Sequence, residues 1–244
     1  MHLHAGEWLV LAIMAAMVLH SLWESDKSKV AVLAGRKTKL AMYRETILFL
    51  WLPTSVLLIL IALNIMSAQR LGLGWQNSWG NWAGVLLVVA AVAYVIWHIR
   101  SIQPGTPQYQ QLFDAMQTHS WLMPSNKREL YWFTGGVSMS AGICEELLFR
   151  GFFLAVFADL LGVWGSLLLG SFLFGLCHLY QGWANVLRTG VIGLVLGIIY
   201  VLTESLWLVI ALHALMDIFG GVLGYVVRHK PAPQPISTAI LTNR

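Results

Sequence analysis

The sequence predicts an all-α protein, a polytopic bundle of about seven transmembrane helices. Hydrophobic residues fill 58% of the 244 positions and charged residues only 11%, whereas charged residues make up about 25% of a typical soluble domain. Apolar stretches near the length that a helix needs to cross a bilayer, about 20 residues, recur along the chain. Since a helix satisfies its own backbone hydrogen bonds in lipid, this composition favours membrane helices over a water-soluble core.

Seven segments share this apolar character, and polar or glycine-rich segments separate them. The predicted spans are residues 7–22, 46–66, 82–99, about 126–158, 166–180, 186–202 and 205–227. The fourth is longer than one span requires, so we expect it to tilt, to protrude or to kink near Gly135 and Gly136. A turn over 159–165 is predicted to separate it from the fifth.

Lysine and arginine cluster between the apolar segments, at 27–44, 127–128 and 228–230. Seven spans with the N-terminus outside and the C-terminus in the cytoplasm place these clusters on the inner side of the membrane, as the positive-inside rule requires. The net charge of +4 is therefore interpreted as a topology signal and not as a sign of a nucleic-acid partner. We expect a multi-pass protein of the inner (cytoplasmic) membrane whose one general partner is the lipid bilayer.

A change of composition after the third span indicates the domain organisation. Residues 101–127 contain prolines, a glycine and several glutamines, which is typical of a linker. Ser125 or Asn126 is predicted to cap the next helix, with Glu129 in its first turn. We divide the chain into four parts: an N-terminal three-span unit at 1–100, a cytoplasmic linker with an interfacial helix at 101–127, a C-terminal helical core at 128–228, and a cytoplasmic tail at 229–244.

Two carboxylates and a guanidinium lie inside the apolar stretch Ala141–Phe153, at Glu145, Glu146 and Arg150. An ionisable residue at membrane depth costs about 2.5–3.5 kcal/mol on insertion, so the group indicates a functional site or a buried ion pair. Glu146 and Arg150 are four residues apart, about 40° around the helix, and can pair; Glu145 points about 100° away from Glu146. We therefore expect the arginine to neutralise Glu146 and to leave Glu145 free for chemistry.

Three further ionisable side chains lie in later apolar segments, at His178, His213 and Asp217. Asp217 follows His213 by four residues, so it could hold the imidazole or lie beside it. With Glu145, two histidines could activate water by general-base catalysis and stabilise an oxyanion. Two histidines and one carboxylate are also a catalytic zinc set. The motif His-Glu-x-x-His is absent, so spacing does not decide between these two readings.

Other common catalytic patterns are missing from the sequence, which has no phosphate-binding loop, serine-hydrolase elbow or dinucleotide fingerprint. Cys144 and Cys177 both lie in apolar helical stretches, so a structural disulfide is not expected. Each cysteine directly precedes Glu145 or His178, but neighbouring residues do not face each other on a helix. A cysteine protease is therefore not predicted.

Seven residues fall into three ordered motifs, Glu-Glu-x-x-x-Arg, Phe-x-x-x-His and His-x-x-x-Asn or a related residue: Glu145, Glu146, Arg150, Phe174, His178, His213 and Asp217. In these motifs the stretch from about 128 to 227 resembles the CPBP intramembrane proteases, a family that includes the CAAX prenyl endopeptidases of the Rce type and the bacterial Abi proteins. The resemblance implies a helical membrane protease that acts as a glutamic endopeptidase without metal or other cofactor.

The resemblance also implies roles for the residues. Glu145 and His178 would activate the attacking water, and His213 with the residue at 217 would stabilise the oxyanion. Glu146 and Arg150 would support the helix, as would Phe174 of the second motif. Where eukaryotic members have an amide, this chain has Asp217, whose carboxylate cannot donate to an oxyanion. Asp217 is then either protonated, or orients His213, or favours a metal.

Two alternatives to a metal-free protease remain open at this point. The same residues could bind zinc in an intramembrane metalloprotease, or the chain could be a non-catalytic scaffold or a proton-coupled transporter. The expected substrate is a peptide or a membrane protein. Prenylated CAAX peptides are the eukaryotic substrate of the family, but bacteria largely lack them, so peptide maturation, bacteriocin immunity and regulated cleavage are all open.

Overall fold

The computed structural model describes residues 3–24 and 26–230, which form helices joined by turns and contain no β-strand. Six helices in this part of the chain are long and apolar enough to cross a membrane. They are Ala5–Trp23, Lys39–Ala62, Trp79–Ser101, Lys127–Leu176, Trp183–Thr203 and Leu206–His229. The predicted all-α membrane fold is confirmed.

The elements follow one another in this order. The N-terminal half contains α1 (Ala5–Glu24), α2 (Lys27–Leu33), α3 (Lys39–Ala62), α4 (Trp79–Ser101) and α5 (Pro107–Thr118). The second half contains α6 (Lys127–Tyr131), the π-helical segment π1 (Trp132–Ser138), α7 (Met139–Glu146), the π-helical segment π2 (Leu147–Phe153), α8 (Leu154–Leu176), a 3₁₀ turn (Leu179–Gln181), α9 (Trp183–Thr203) and α10 (Leu206–His229).

The run Lys127–Leu176, 50 residues long, is two helices in succession. Gly162 has φ 69° and ψ 166°, a conformation outside the helical region that glycine adopts without steric cost. This break lies inside the predicted turn over 159–165, and a run divided there agrees with about seven spans. The segment π1 covers Gly135 and Gly136, where a kink was expected, and π2 covers Arg150. π-helical turns change the direction of a helix and occur often at functional sites.

The long helix begins where the capping pattern predicted. The side chain of Asn126 accepts a hydrogen bond from the backbone N–H of Glu129 at 2.9 Å. The carboxylate of Glu129 in turn accepts from the backbone N–H of Ser125 at 2.7 Å. Asn126 is therefore the N-cap, and the Glu129 side chain stabilises the first turn by binding back to the backbone before the cap.

The linker predicted at 101–127 contains α5, and it packs against the ends of two spans. The phenol of Tyr109 in α5 donates to the carbonyl of Val227 at 2.9 Å, and burial raises the pKa of this phenol, which keeps it a donor. The segment 119–125 accepts three hydrogen bonds from Lys39, at the carbonyls of Ser120 (2.7 Å) and Met123 (2.6 Å) and at the hydroxyl of Ser125 (2.6 Å). The division into an N-terminal unit, linker and core remains a prediction. Of the predicted tail, 231–244 lies outside the described residues.

Close packing between α7 and α10 brings the two halves of the polar cluster together. A Cβ atom added to Gly142 would lie 2.8 Å from Ala214 Cβ and 3.0 Å from the carbonyl oxygen of Ile210. Because Gly142 has no side chain, α7, which carries Glu145, can approach α10, which carries His213. Small residues allow such close contact between membrane helices.

We expect Gly142→Ala to destabilise the protein by about 1–3 kcal/mol, the usual cost of overpacking, because the added methyl group meets backbone atoms of α10. Thermal unfolding of the purified protein in detergent measures the change. Gly220→Ala is the matched control. Gly220 lies in α10, and an added Cβ there meets nothing within 4 Å. Equal unfolding temperatures for the two variants would contradict the prediction.

Candidate active site

A buried carboxylate, Glu146 at the end of α7, joins two helices through charged hydrogen bonds. Its Oε1 atom accepts from Arg150 Nη1 at 2.7 Å and from His213 Nδ1 at 2.6 Å. The side chain is fully buried. Hydrogen bonds of a carboxylate to charged donors are about twice as strong as neutral ones. Glu146 therefore fixes the position of His213 as well as neutralising Arg150.

Arg150 lies in π2 and connects this pair to two more helices. Its Nη2 atom donates to the carbonyl of Gly193 in α9 at 3.0 Å. Its guanidinium carbon lies 4.3 Å from the centre of the Phe174 ring in α8, a cation–π contact. A Cβ atom at position 193 would lie 2.9 Å from both Nη2 and a ring carbon of Phe174, so a larger residue there would displace the guanidinium or the ring.

The hydrogen bond to Glu146 determines the orientation of His213. Because a carboxylate only accepts, His213 Nδ1 is the donor in this bond, and Nε2 is the nitrogen that faces the remaining polar groups. Nε2 lies 3.6 Å from Glu145 Oε2 and 3.8 Å from Asp217 Oδ2. Both distances are too long for a hydrogen bond. Glu146, and not Asp217, orients the imidazole, and Asp217 lies beside it.

His178 follows the end of α8, and a hydrogen bond to the backbone of Phe174 fixes the orientation of its ring. His178 Nδ1 is 2.9 Å from the carbonyl oxygen of Phe174. Since a carbonyl only accepts, Nδ1 carries the hydrogen, and in the neutral ring Nε2 is an acceptor. The Phe174 ring lies between the two histidines, with centroids 4.9 Å from His178 and 5.9 Å from His213. Within the described chain, no hydrogen bond or ion pair joins His178 to Glu145.

Glu145 retains an oxygen that no protein group occupies. In residues 3–24 and 26–230, Glu145 Oε2 is buried without a hydrogen-bond partner, as is Glu146 Oε2. The Glu145 side chain is 15% exposed and that of Asp217 38% exposed, whereas Glu146 is fully buried. Glu146 already binds Arg150 and His213 through its other oxygen, whereas Glu145 makes no hydrogen bond within the described residues, so Glu145 is the carboxylate left free for chemistry.

The zinc alternative requires three ligands directed at one point. Among the residues that the structure describes, no three His, Cys, Asp or Glu side chains are arranged so that they could hold one metal ion. A zinc ion binds nitrogen at about 2.0–2.1 Å, and one nitrogen of each histidine is already hydrogen-bonded to a protein acceptor. The side chains as placed do not form a zinc set, and the absence of a cofactor remains a prediction.

Residues 127–219 match the family model described as Type II CAAX prenyl endopeptidase Rce1-like. This segment is similar to that family, and the match covers less than half of the chain. The match runs from the start of α6 into α10 and includes every residue of the cluster, and it confirms the resemblance seen in the three motifs. The printed description of that family is of an endopeptidase, and the six apolar helices make the chain a multi-pass membrane protein. No curated protein and no solved structure matches this chain.

Sequence reasoning missed three features of the Rce1-like segment. It did not foresee the bond between Glu146 and His213, the carbonyl of Gly193 as a partner of Arg150, or Tyr180 beside His178. Helical periodicity relates residues of one helix, and all three features join different elements. The one available signal was the position of Tyr180 two residues after His178, in a segment that also contains Gln181 and Gly182.

Proposed function

We propose that the protein is an intramembrane endopeptidase that hydrolyses a peptide bond of a membrane-associated peptide or protein. One observation carries the proposal: Glu145 Oε2, buried and uncommitted, lies 3.6 Å from His213 Nε2, while Glu146 holds the opposite nitrogen of that ring. Glu145, as a general base, and His213 Nε2, as a potential hydrogen-bond donor, therefore face the same space. The Rce1-like match over 127–219 supports the same reaction class.

In the proposed reaction, Glu145 takes a proton from water as the water oxygen bonds to the carbonyl carbon of the substrate. His178 holds this water through Nε2, the ring nitrogen that its bond to Phe174 leaves as an acceptor. His213 carries one hydrogen on Nδ1, held by Glu146, and as an imidazolium a second on Nε2, which it donates to the oxyanion that forms. Glu145 then returns the proton to the leaving amine when the carbon–nitrogen bond breaks.

Glu146, Arg150 and Phe174 act as positioning residues in this proposal. Glu146 fixes the direction of the His213 ring through Nδ1, Arg150 neutralises Glu146 and keeps it in place, and the ring of Phe174 separates the two histidines. Asp217 borders the space near His213 as the most exposed of the three carboxylates. As a carboxylate it accepts hydrogen bonds only, so it leaves stabilisation of the oxyanion to other groups.

The finer assignments belong to the same proposal. The protein lies in the inner membrane, with the N-terminus outside and the C-terminus and linker in the cytoplasm, and its active site opens toward the cytoplasm. CAAX-type specificity is proposed from the description of the matching family. The reaction needs no metal.

The proposal is tested by comparing the protein termini in membranes from cells that express the wild type and Glu145→Gln. Glu204→Gln is the matched control. Glu204 follows the C-terminal end of α9, outside the polar cluster, and accepts a hydrogen bond from Gln76 at 3.0 Å. We expect a defined set of new N-termini in the wild type and in the control that disappears in Glu145→Gln. Identical termini in all three strains would refute proteolysis and favour a scaffold.

A further inference from the structure

The proposed oxyanion site lacks a donor at one position. Stabilisation of a tetrahedral intermediate depends on hydrogen-bond donors directed at the oxygen on which charge develops. His213 Nε2 can supply one, but Asp217, in the place of the amide of the third motif, can only accept while it is a carboxylate. A neutral donor near both residues would complete the site.

Tyr180 is a neutral donor next to His178, on the 3₁₀ turn Leu179–Gln181 that follows it. Its ring stacks on the ring of His178, with centroids 5.9 Å apart and an interplanar angle of 29°. On another side it meets the edge of Trp121 at 6.2 Å. Through His178 and Phe174, the rings continue to His213. The phenol is thus part of the same cluster of side chains.

The hydrogen bonds of the phenol leave its hydrogen available. Gln181 Nε2 donates to the phenolic oxygen of Tyr180 at 2.8 Å. The backbone carbonyl of Gln181 accepts from Asn185 Nδ2 at 2.8 Å, which ties the turn to α9. In the described residues, Tyr180 donates no hydrogen bond. Its O–H group can therefore serve an acceptor that the protein does not supply.

The environment keeps the phenol protonated. Burial raises the pKa of Tyr180 far above its ordinary value, the hydrogen bond from Gln181 lowers it, and the carboxylates of Glu145 and Asp217 raise it again. Both carboxylates belong to the proposed active site. A tyrosine that is kept neutral in this way remains a hydrogen-bond donor.

We propose that Tyr180 is a catalytic residue that donates its phenolic hydrogen to the oxyanion, and so supplies the donor that the carboxylate of Asp217 cannot. The inference rests on the proposed endopeptidase function. No bond of Tyr180 forms or breaks: its hydrogen stays on the phenolic oxygen, and the hydrogen bond strengthens as negative charge develops on the substrate.

Tyr180→Phe keeps the ring against His178 and removes the donor, and kcat for the cleaved substrate is expected to fall by about 10²–10³-fold with KM unchanged. Tyr131→Phe is the matched control, because Tyr131 is 74% exposed and lies outside the cluster. It should cleave at the wild-type rate. Thermal unfolding of both variants is measured in the same detergent, and equal unfolding temperatures are expected.

A rescue distinguishes donation from a structural role. Asp217→Asn introduces an amide donor, and in the Tyr180→Phe background we expect it to raise kcat by about tenfold or more. Gln181→Glu is a second variant, which leaves the ring intact but offers a carboxylate to the phenol and turns its hydrogen away. It should lower kcat as well, and it decides the question where Tyr180→Phe does not fold.

Three results would overturn the assignment of Tyr180. The first is an unchanged kcat in Tyr180→Phe or, where that variant does not fold, in Gln181→Glu. The second is an effect on KM alone. The third is a double variant, Tyr180→Phe with Asp217→Asn, that is no faster than Tyr180→Phe. The failure of the underlying function looks different. If wild type and Glu145→Gln produce the same termini, both proposals fall; if Glu145→Gln is inactive and Tyr180→Phe is not, only the role of Tyr180 falls.

Discussion

Replacing Glu145 by glutamine is expected to lower kcat for peptide hydrolysis by about 10²–10⁴-fold, the range that a general base contributes. Glutamine has the size of glutamate but cannot take a proton from water. KM should change little, since the substitution leaves the shape of the site intact. The measurement is steady-state cleavage of a peptide that spans a junction identified from the termini, with purified protein in lipid vesicles.

The same assay separates the metal-free reaction from the zinc alternative. The wild type should keep its rate after incubation with a chelator, and purified protein should contain zinc in far less than equimolar amount. Glu204→Gln should behave as the wild type. Equimolar zinc together with loss of activity in chelator would contradict the metal-free mechanism, even if Glu145→Gln is inactive.

Replacing Glu146 by alanine is expected to destabilise the fold by about 3–5 kcal/mol, because it leaves Arg150 as an unpaired buried cation. The guanidinium keeps only the carbonyl of Gly193 and the ring of Phe174 as partners. His213 also loses the acceptor of its Nδ1 hydrogen. Unfolding in denaturant, followed in detergent micelles, measures the difference from the wild type.

A double variant shows how much of this loss comes from the unpaired charge. Glu146→Leu with Arg150→Met replaces the pair by apolar side chains of similar size, and we expect it to recover most of the stability. It should not recover activity, since nothing then orients His213. A double variant as unstable as Glu146→Ala, or one with normal activity, would contradict the positioning role.

Much of the fold could be predicted because apolar length and glycine carry direct physical signals. The break at Gly162 and the cap at Asn126 are local, and both are visible in the sequence. The ends of the spans are less visible: α3 begins at Lys39, whereas the apolar pattern begins near 46. Hydropathy reports the apolar part of a helix, and the backbone hydrogen bonds continue into its polar end.

The cluster itself could be predicted only in part. The residues of the cluster could be identified because they are polar side chains in apolar spans. Four-residue spacing predicted the pair of Glu146 and Arg150, whose side chains are 2.7 Å apart. The spacing of His213 and Asp217 suggested a pair too, yet the imidazole bonds to Glu146 on another helix. The rotation of α7 against α10 decides this, and it depends on packing at Gly142 and Ala214, which periodicity along one helix does not encode.

The contacts of the linker also set an order of assembly. The segment 119–125 is held by Lys39, at the start of the second apolar span, and by Arg228, whose Nη1 donates to Ser125 at 3.1 Å near the end of α10. Lys39 and Arg228 are 189 residues apart in the sequence. Arg228 is therefore synthesised only after nearly all of the described chain. During synthesis, therefore, the contacts of segment 119–125 and the His213 side of the cluster are completed together, and a nascent chain that stops short of α10 has neither.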